Sequence, residues 1–303
     1  MRKTLVLHIG MHKTATTSIQ SHLLHHRVQL HQMGVEYVPG LVKIGRRIRN
    51  RAPMSDELVR ELQAHLEPLL TLPAPIILGS AEAYFGRFMA KPPVLINSHE
   101  CAADLKRILE PFDLDVKLFA AVRRQDTWLE SAYQHSVKWN FDLTFDEWYA
   151  ELDLDLFHWD RLLGGFAAQF GKDNLYVHPY ERLFKPDGEG VRRLYRLFGA
   201  EQLAEPGTFP RSNPGISKRW LEVLRRANSL IDRKECQRLR FFMEQEFPRK
   251  SGDKTIYFSD EQRVELLEHY SASNQRLFDE FVPAGIENFY TVAAVMGQAA
   301  LTV

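Results

Sequence analysis

The sequence has little cysteine, no excess charge of either sign and no long apolar run. Its 303 residues include only two cysteines, Cys101 and Cys236, and neither belongs to a Cys-x-x-Cys pair. This count argues against a disulfide framework and a cysteine-based zinc site, and it is typical of a reducing cytoplasm. Lysine plus arginine equals aspartate plus glutamate at 39 each. Binders of nucleic acid or membrane surfaces usually carry basic excess, so any anionic partner must be bound by local clusters.

Segments for targeting and membrane insertion are also missing. No stretch approaches the roughly 18 apolar residues of a membrane span. The apolar residues 4–9 follow a charged start, but the run is short and leads into Gly10 and Lys13 rather than a small-residue cleavage site. We therefore expect a cytoplasmic protein without a signal peptide, a transmembrane segment or a nucleic-acid partner. The oligomeric state stays open, a homo-oligomer included.

Short apolar runs alternate with amphipathic segments in the first two-thirds of the chain. The predicted strands are residues 5–9, 35–38, 76–78, 94–97, 116–122 and 175–178. This alternation predicts an α/β fold with a central parallel sheet flanked by helices. We expect one domain over residues 1–303, with an α/β core over about 1–210 and a mostly helical part over about 211–303.

Helical spacing and cap residues define the intervening segments. The predicted helices are residues 17–30, 55–70 with Ser55 as N-cap, 100–109, 126–138, 159–170, 189–198, 218–230, 234–246 and 260–281. Residues 41–53, which carry five cations, are predicted as a loop. Ligands of parallel sheets bind at the carboxyl ends of strands. Segments beginning near Gly10, Gly79 and Arg123 each follow a predicted strand, so we expect one shared site.

The segment over residues 8–20 reads His-Ile-Gly-Met-His-Lys-Thr-Ala-Thr-Thr-Ser-Ile-Gln, a strand, a loop and a helix. Backbone N–H groups at a helix start attract phosphate, Gly10 permits a sharp turn, and Lys13 adds a charge. Hydroxyl groups come from Thr14, Thr16, Thr17 and Ser18. A Walker A loop has its lysine later, after a second glycine. We predict a cradle for the phosphate of a nucleotide-type cosubstrate; the alternative is a turn and cap with a solvent-facing lysine.

Two motifs resemble those of sulfotransferases that use 3′-phosphoadenosine 5′-phosphosulfate, especially the bacterial and Golgi-type group. Residues 8–18 are similar to that group's His-Ile-Gly-x-x-Lys-Thr-Gly-Thr-Thr-Ser, with Ala15 where glycine is common. We expect the alanine methyl to be tolerated only at negative φ. Arg123 and Ser131 have the eight-position spacing of the family's 3′-phosphate motif, and both could converge on one phosphate. The alternative is that Arg123 pairs with Asp126.

The resemblance implies a P-loop NTPase-like sulfotransferase fold. It also implies transfer of a sulfuryl group to a hydroxyl of a carbohydrate or glycolipid. The implied partner is therefore a small-molecule or glycan acceptor. The implied cosubstrate contacts are Gly10, His12, Lys13, Thr14, Ala15, Thr16, Thr17, Ser18, Arg123 and Ser131, with Arg211, Ser212 and Asn213 from a C-terminal loop. No metal is expected, because a sulfuryl group carries less charge than a transferring phosphoryl group and no predicted strand ends in a Walker B aspartate.

Two residues are assigned to catalysis. Sulfuryl transfer, like phosphoryl transfer, has a loose transition state, and we assign Lys13 to the bridging oxygen of the leaving phosphate. Glu82 follows the strand at 76–78 in a segment similar to the family's Ser-Ser-Glu, and we assign it as the general base. Glu82 could instead be a helix-start glutamate. His99 and His135 are the rival bases.

Two further clusters and two rival functions remain. His22, His25 and His26 have helical spacing that could hold a metal, but we interpret them as a solvated helix face. The basic run 43–51 is either a solvated loop or a rim that receives an anionic acceptor. The rival functions are a P-loop kinase for a small metabolite and a nucleotide-binding protein without catalysis.

Overall fold

The computed structural model describes residues 2–89, 91–92, 95–205, 207–209, 215–248, 256–294 and 296. Its strands are β1 (Lys3–Gly10), β2 (Val35–Tyr37), β3 (Ile76–Ser80), β4 (Arg87–Phe88), β5 (Leu95–Ile96), β6 (Leu114–Val122) and β7 (Leu175–Pro179). Five of them form a parallel sheet in the order β2–β3–β1–β6–β7, which confirms the predicted fold class. The strand predicted at 94–97 lies instead in a separate antiparallel pair of β4 and β5; residue 94 is outside the described residues.

Helices make up most of the rest of the described chain. They are α1 (Thr16–His25), α2 (Arg27–Gln32), α3 (Leu41–Arg51), α4 (Asp56–Leu70), α5 (Ser98–Leu109), α6 (Gln125–Lys138), α7 (Phe145–Ala150), α8 (Trp159–Phe170), α9 (Tyr180–Leu183), α10 (Glu189–Arg196), α11 (Lys218–Asn228), α12 (Arg233–Glu246), α13 (Asp260–His269) and α14 (Ser271–Glu280). None of these helices is both long and apolar enough to cross a lipid bilayer.

The central strand β1 is buried on both faces. Leu5, Leu7 and Ile9 point to one apolar cluster, whereas Val6 points to a second cluster that includes Ile19 of α1. Burial on both faces is typical of a parallel strand covered by helices on either side. The central position sets the carboxyl end of β1 between those of β3 and β6. The three strand-end segments therefore meet at one edge, as the sequence predicted.

The loop predicted at residues 41–53 is wrong, because Leu41–Arg51 forms α3. Leu41, Ile44 and Ile48 are spaced by three and four residues and are buried in the core. Gly45 lies on the same face, where an added Cβ would come within 3.3 Å of the Tyr84 ring. The many arginines obscured this apolar stripe, and packing against the core stabilises the helix.

Two predicted helices are each divided into two. Residues 17–30 form α1 and α2, which meet at His26, and residues 260–281 form α13 and α14, which meet at Tyr270. Both junction residues have φ of −93° and ψ near zero, in the sparsely allowed bridge region where a helix changes direction. The Ser55 cap is confirmed, since its side chain accepts a hydrogen bond from the Leu58 N–H.

Buried polar contacts join the C-terminal helices to α6. Arg263 of α13 forms ion pairs with Asp126 and with Glu130 of α6, the latter at 3.2 Å. The amide of Gln125 donates to Asn274 of α14 over 2.8 Å. The start of α6, which carries the predicted 3′-phosphate residues, is thereby packed against the helical part of the chain.

Candidate active site

The loop between β1 and α1 presents a row of free backbone N–H groups. The φ angles of Lys13 and Ala15 are positive, at 65° and 62°. The N–H groups of residues 13–17 donate to no atom of the described residues. Successive N–H groups in such alternating conformations form a concave anion-binding nest, and the start of α1 adds the positive end of its dipole. The loop therefore has the geometry of a phosphate cradle.

Ala15 contradicts the expectation of a negative φ. Its φ of 62° lies in the left-handed region, where a residue with a Cβ is disfavoured by about 1–2 kcal/mol. The Ala15 carbonyl accepts hydrogen bonds from the N–H groups of Ser18 and Ile19, which fixes this conformation at the N-cap of α1. Alanine has no side-chain hydrogen-bond acceptor, so no side chain of the N-cap residue caps the start of α1.

The side chains of His12 and Thr14 support the loop from within the protein. The Thr14 hydroxyl is buried and donates to the Met11 carbonyl over 2.7 Å. The His12 ring is buried too, with Nε2 hydrogen-bonded to the Gly86 carbonyl at 3.0 Å. These two residues shape the cradle, and their side chains are already engaged.

The remaining hydroxyls of the loop differ in exposure. Thr17 is exposed, and the Ser18 residue is buried. The Thr16 hydroxyl is buried and has no hydrogen-bond partner among the described residues. A buried polar group without a partner is costly, so Thr16 fits a role in binding an anion at the start of α1.

Gly10 allows the segment after β3 to lie directly against the cradle. Its φ is 106°, and an added Cβ would lie only 2.9 Å from the Glu82 Cα. The Ser80 hydroxyl is hydrogen-bonded to the His8 ring at 2.8 Å, and Gln20 donates to the Ser80 carbonyl at 2.9 Å. These contacts tie the end of β3 to β1 and α1. They place Glu82 where its negative charge partly offsets the lowering of the Lys13 pKa by burial and by neighbouring cations.

Arg123 stands at the end of β6 beside the cradle. Its guanidinium donates to the Lys13 carbonyl at 3.2 Å and to the Thr127 hydroxyl at 3.1 Å, and it lies 5.0 Å from the Tyr180 ring centre. The alternative pairing of Arg123 with Asp126 is wrong, because Arg124 binds that carboxylate. Within the described residues Arg123 forms no ion pair with a carboxylate. Its charge is therefore available to an external anion.

One face of α6 continues from Arg123 along the site. Thr127, Ser131, His135 and Lys138 follow one another at steps of three or four residues and are half-buried, whereas most of their neighbours on α6 are buried. Ser131 lies one turn beyond Thr127, which already contacts Arg123. Lys138 was not predicted from the sequence as a site residue. The same helical spacing, continued past Ser131, identifies it.

The cations of the site repel one another. The pKa of Lys13 is lowered to about 8, chiefly by burial and then by Lys138 and Arg123. Burial first, then Lys13 and other nearby cations, lowers the pKa of His135 to about 2. This imidazole is neutral at physiological pH and is a weak base, which disfavours it as the proton acceptor. The other rival base, His99, is exposed beside Gly165 of α8.

The other predicted residues lie elsewhere. Arg211, Ser212 and Asn213 fall outside the described residues. The interpretation of a solvated histidine face is wrong for His22, which is buried and hydrogen-bonded to Tyr195 and Thr208. The described residues contain one group of metal-type side chains with donor atoms within 4.8 Å of one another, and it lies outside the cradle: Asp155, His158 and His269.

Comparisons with known proteins support the fold. No protein-family model matches the chain. An uncharacterized protein of Archaeoglobus fulgidus is 26% identical over 168 residues, which cover 54% of this chain and 45% of the relative, so the chain spans less than half of that relative's length. The crystal structure of a sulfotransferase from Alicyclobacillus acidocaldarius has a TM-score of 0.52 at 12% identity and covers 92% of this chain and 96% of its own. The chain therefore has a sulfotransferase-like fold.

Proposed function

We propose that this chain transfers a sulfuryl group from 3′-phosphoadenosine 5′-phosphosulfate to a hydroxyl of a carbohydrate or glycolipid. The observation that carries the proposal is the pairing of two anion-binding features. The free N–H groups of residues 13–17 lie beside the guanidinium of Arg123, joined by its hydrogen bond to the Lys13 carbonyl. A nucleotide with phosphates at both its 5′ and 3′ positions matches two adjacent features of this kind.

Each half of the cosubstrate has a set of candidate residues. The cradle between Gly10 and Ser18, with the Thr16 and Thr17 hydroxyls, would hold the 5′-phosphosulfate. Arg123 and Ser131 would hold the 3′-phosphate. Arg211, Ser212 and Asn213 stay a prediction for further contacts.

The chemistry needs a charge at the leaving oxygen and a base at the acceptor. The acceptor oxygen forms a bond to sulfur while the bond from sulfur to the bridging oxygen breaks, and that electron pair stays on the phosphate. Lys13 would stabilise the negative charge on the bridging oxygen. Glu82 would take the hydroxyl proton. It packs against Gly10 and is close enough to Lys13 for the two charges to interact.

The kinase alternative fits the site less well. A P-loop kinase needs an aspartate that holds magnesium near the phosphates. The residues that directly follow the strands beside the cradle are Ala81 after β3 and Arg123 after β6, and neither is an acid. A nucleotide-binding protein without catalysis would need neither Lys13 nor Glu82 at this edge.

A transfer assay tests the proposal. We would incubate the protein with donor carrying a radiolabelled sulfuryl group and a panel of glycans and glycolipids. Lys13→Ala should reduce turnover about 100- to 1,000-fold, as loss of a transition-state charge partner does. Glu82→Gln should reduce turnover about 100-fold or more and leave cosubstrate affinity unchanged.

The control is Lys43→Ala, which removes an exposed lysine from α3 and should leave turnover unchanged. If Glu82→Gln keeps full activity on the best acceptor, the base assignment is wrong. If the wild-type protein neither binds the donor nor transfers its label, the proposed function is wrong.

A further inference from the structure

One arginine of the basic helix α3 lies on the face that packs against the turn following β3. Arg49 lies one turn after Gly45, on the face that packs against Tyr84 of the 3-10 turn Glu82–Phe85. Arg47 lies on a different face and pairs with Glu61 of α4. The run of cations is therefore a helix and not a loop, and Arg49 has a position distinct from that of Arg47.

A single amide holds Arg49 near a second arginine. The Asn97 side chain donates to the Arg49 carbonyl at 3.0 Å and accepts from the Arg87 N–H at 3.0 Å. Asn97 thus fixes the backbone of α3 next to that of β4. The two residues are brought into one neighbourhood, where the positive charge of Arg87 adds to burial and Arg46 in lowering the pKa of Arg49.

Arg49 is half-buried, and its guanidinium has no acidic partner at ion-pair distance among the described residues. Its side chain contacts Asn50 over 3.3 Å. Burial is the main cause of its lowered pKa, followed by Arg46, whereas Glu82 acts in the opposite direction. Glu82 interacts with Lys13 as well as with Arg49. The carboxylate proposed as the base therefore has the donor cradle as one neighbour and Arg49 as another.

Building on the proposed function, we infer that the acceptor is itself anionic, and that Arg49, with Arg87 beside it, binds a carboxylate, sulfate or phosphate group of the acceptor. The cradle and Arg123 serve the donor phosphates, so Arg49 is left for the second substrate. A guanidinium binds such oxyanions through two parallel hydrogen bonds. The chain has no net charge, so this local pair of arginines, rather than the global field, selects the acceptor.

The test compares acceptors that differ only in charge. The pairs are methyl β-glucuronide with methyl β-glucoside, and glucose 6-phosphate with glucose. The wild-type protein should show kcat/KM at least tenfold higher for the anionic member of one pair, and that pair identifies the group as carboxylate or phosphate. Arg49→Gln should abolish the preference through KM, by about ten- to hundredfold. Arg47→Gln, from the same helix, should behave as wild type.

Three results would overturn the inference: no preference in the wild type, an equal loss for both members of a pair in Arg49→Gln, or weaker binding of adenosine 3′,5′-bisphosphate by that variant.

Where neither pair is sulfated, inorganic sulfate is titrated into the bisphosphate-saturated protein. Loss of sulfate binding in Arg49→Gln supports the anion site, and unchanged binding contradicts it. Failure of the wild type to bind the bisphosphate would instead refute the proposed function.

Discussion

The charge of Lys13 should make the folded protein less stable than an uncharged variant. Burial, then Lys138 and Arg123, lower the pKa of this ammonium from 10.5 to about 8, with Glu82 acting in the opposite direction. This fall in pKa corresponds to about 3 kcal/mol of lost stability while Lys13 is charged in both the folded and unfolded states. The site thus holds a cation that the fold alone does not favour, as functional sites commonly do.

Lys13→Met removes the charge and keeps a long apolar side chain. We expect the free energy of unfolding at neutral pH to rise by about 1–3 kcal/mol, and Tm to rise by about 2–4 °C for each kcal/mol. Lys43→Met, on the exposed face of α3, should change stability by less than about 0.5 kcal/mol. The same Lys13→Met variant should lose sulfuryl transfer, so stability and activity change in opposite directions.

The pH dependence gives the sign of the effect. Below pH 8 Lys13 is charged in both states, and the variant has its full advantage. Between about pH 8 and 10.5 the folded wild type has already released this proton while the unfolded chain retains it, so the wild type gains stability relative to the variant. Thermal unfolding of both ligand-free proteins across this range checks the trend. A Lys13→Met protein that is no more stable than wild type at neutral pH would show that the charge of Lys13 does not destabilise the fold.

Two further substitutions test the local structure by chemical denaturation. Ala15→Gly should raise the unfolding free energy by up to about 1.6 kcal/mol. Relief of the left-handed conformation contributes about 1–2 kcal/mol, and the added freedom of the unfolded chain costs about 0.4–1 kcal/mol. A clear loss of stability would contradict the strain at this residue. Arg263→Ala should cost about 3 kcal/mol or more, because Asp126 and Glu130 lose a buried cation. The matched control is Arg238→Ala on the exposed face of α12. A loss of less than about 1 kcal/mol in unfolding free energy for Arg263→Ala would show that the ion pairs do not join α13 to α6.

The sequence predicted the sheet and the cradle because both depend on local patterns. A strand buried on both faces appears as a largely apolar run, as in residues 5–9, where His8 is the one polar residue, and Gly10 marks its end. Arg123 follows β6 directly, and Lys13 lies in the loop that follows β1, so their positions at the shared edge follow from parallel topology. The roles assigned to them in binding and catalysis stay predictions.

The features that the sequence did not predict depend on tertiary packing. The run rich in arginine that carries Arg49 folds into α3 because three apolar residues and Gly45 pack against the core. The positive φ of Ala15 accompanies the hydrogen bonds that the Ser18 and Ile19 N–H groups donate to its carbonyl, and residue type alone predicts the opposite sign. His22 is buried at a contact with Tyr195 and Thr208, two residues remote in sequence whose hydroxyl groups form hydrogen bonds with its ring.

The central claim is that one site binds a nucleotide phosphorylated at both its 3′ and 5′ positions. Calorimetric titration of the wild type and of Arg123→Ala with adenosine 3′,5′-bisphosphate, and separately with ATP and magnesium, tests it most directly. We expect the wild type to bind the bisphosphate more tightly than ATP–magnesium, and Arg123→Ala to weaken bisphosphate binding about ten- to hundredfold. Tight binding of ATP–magnesium with no response to the bisphosphate would show that the site is not one for a 3′,5′-bisphosphorylated nucleotide.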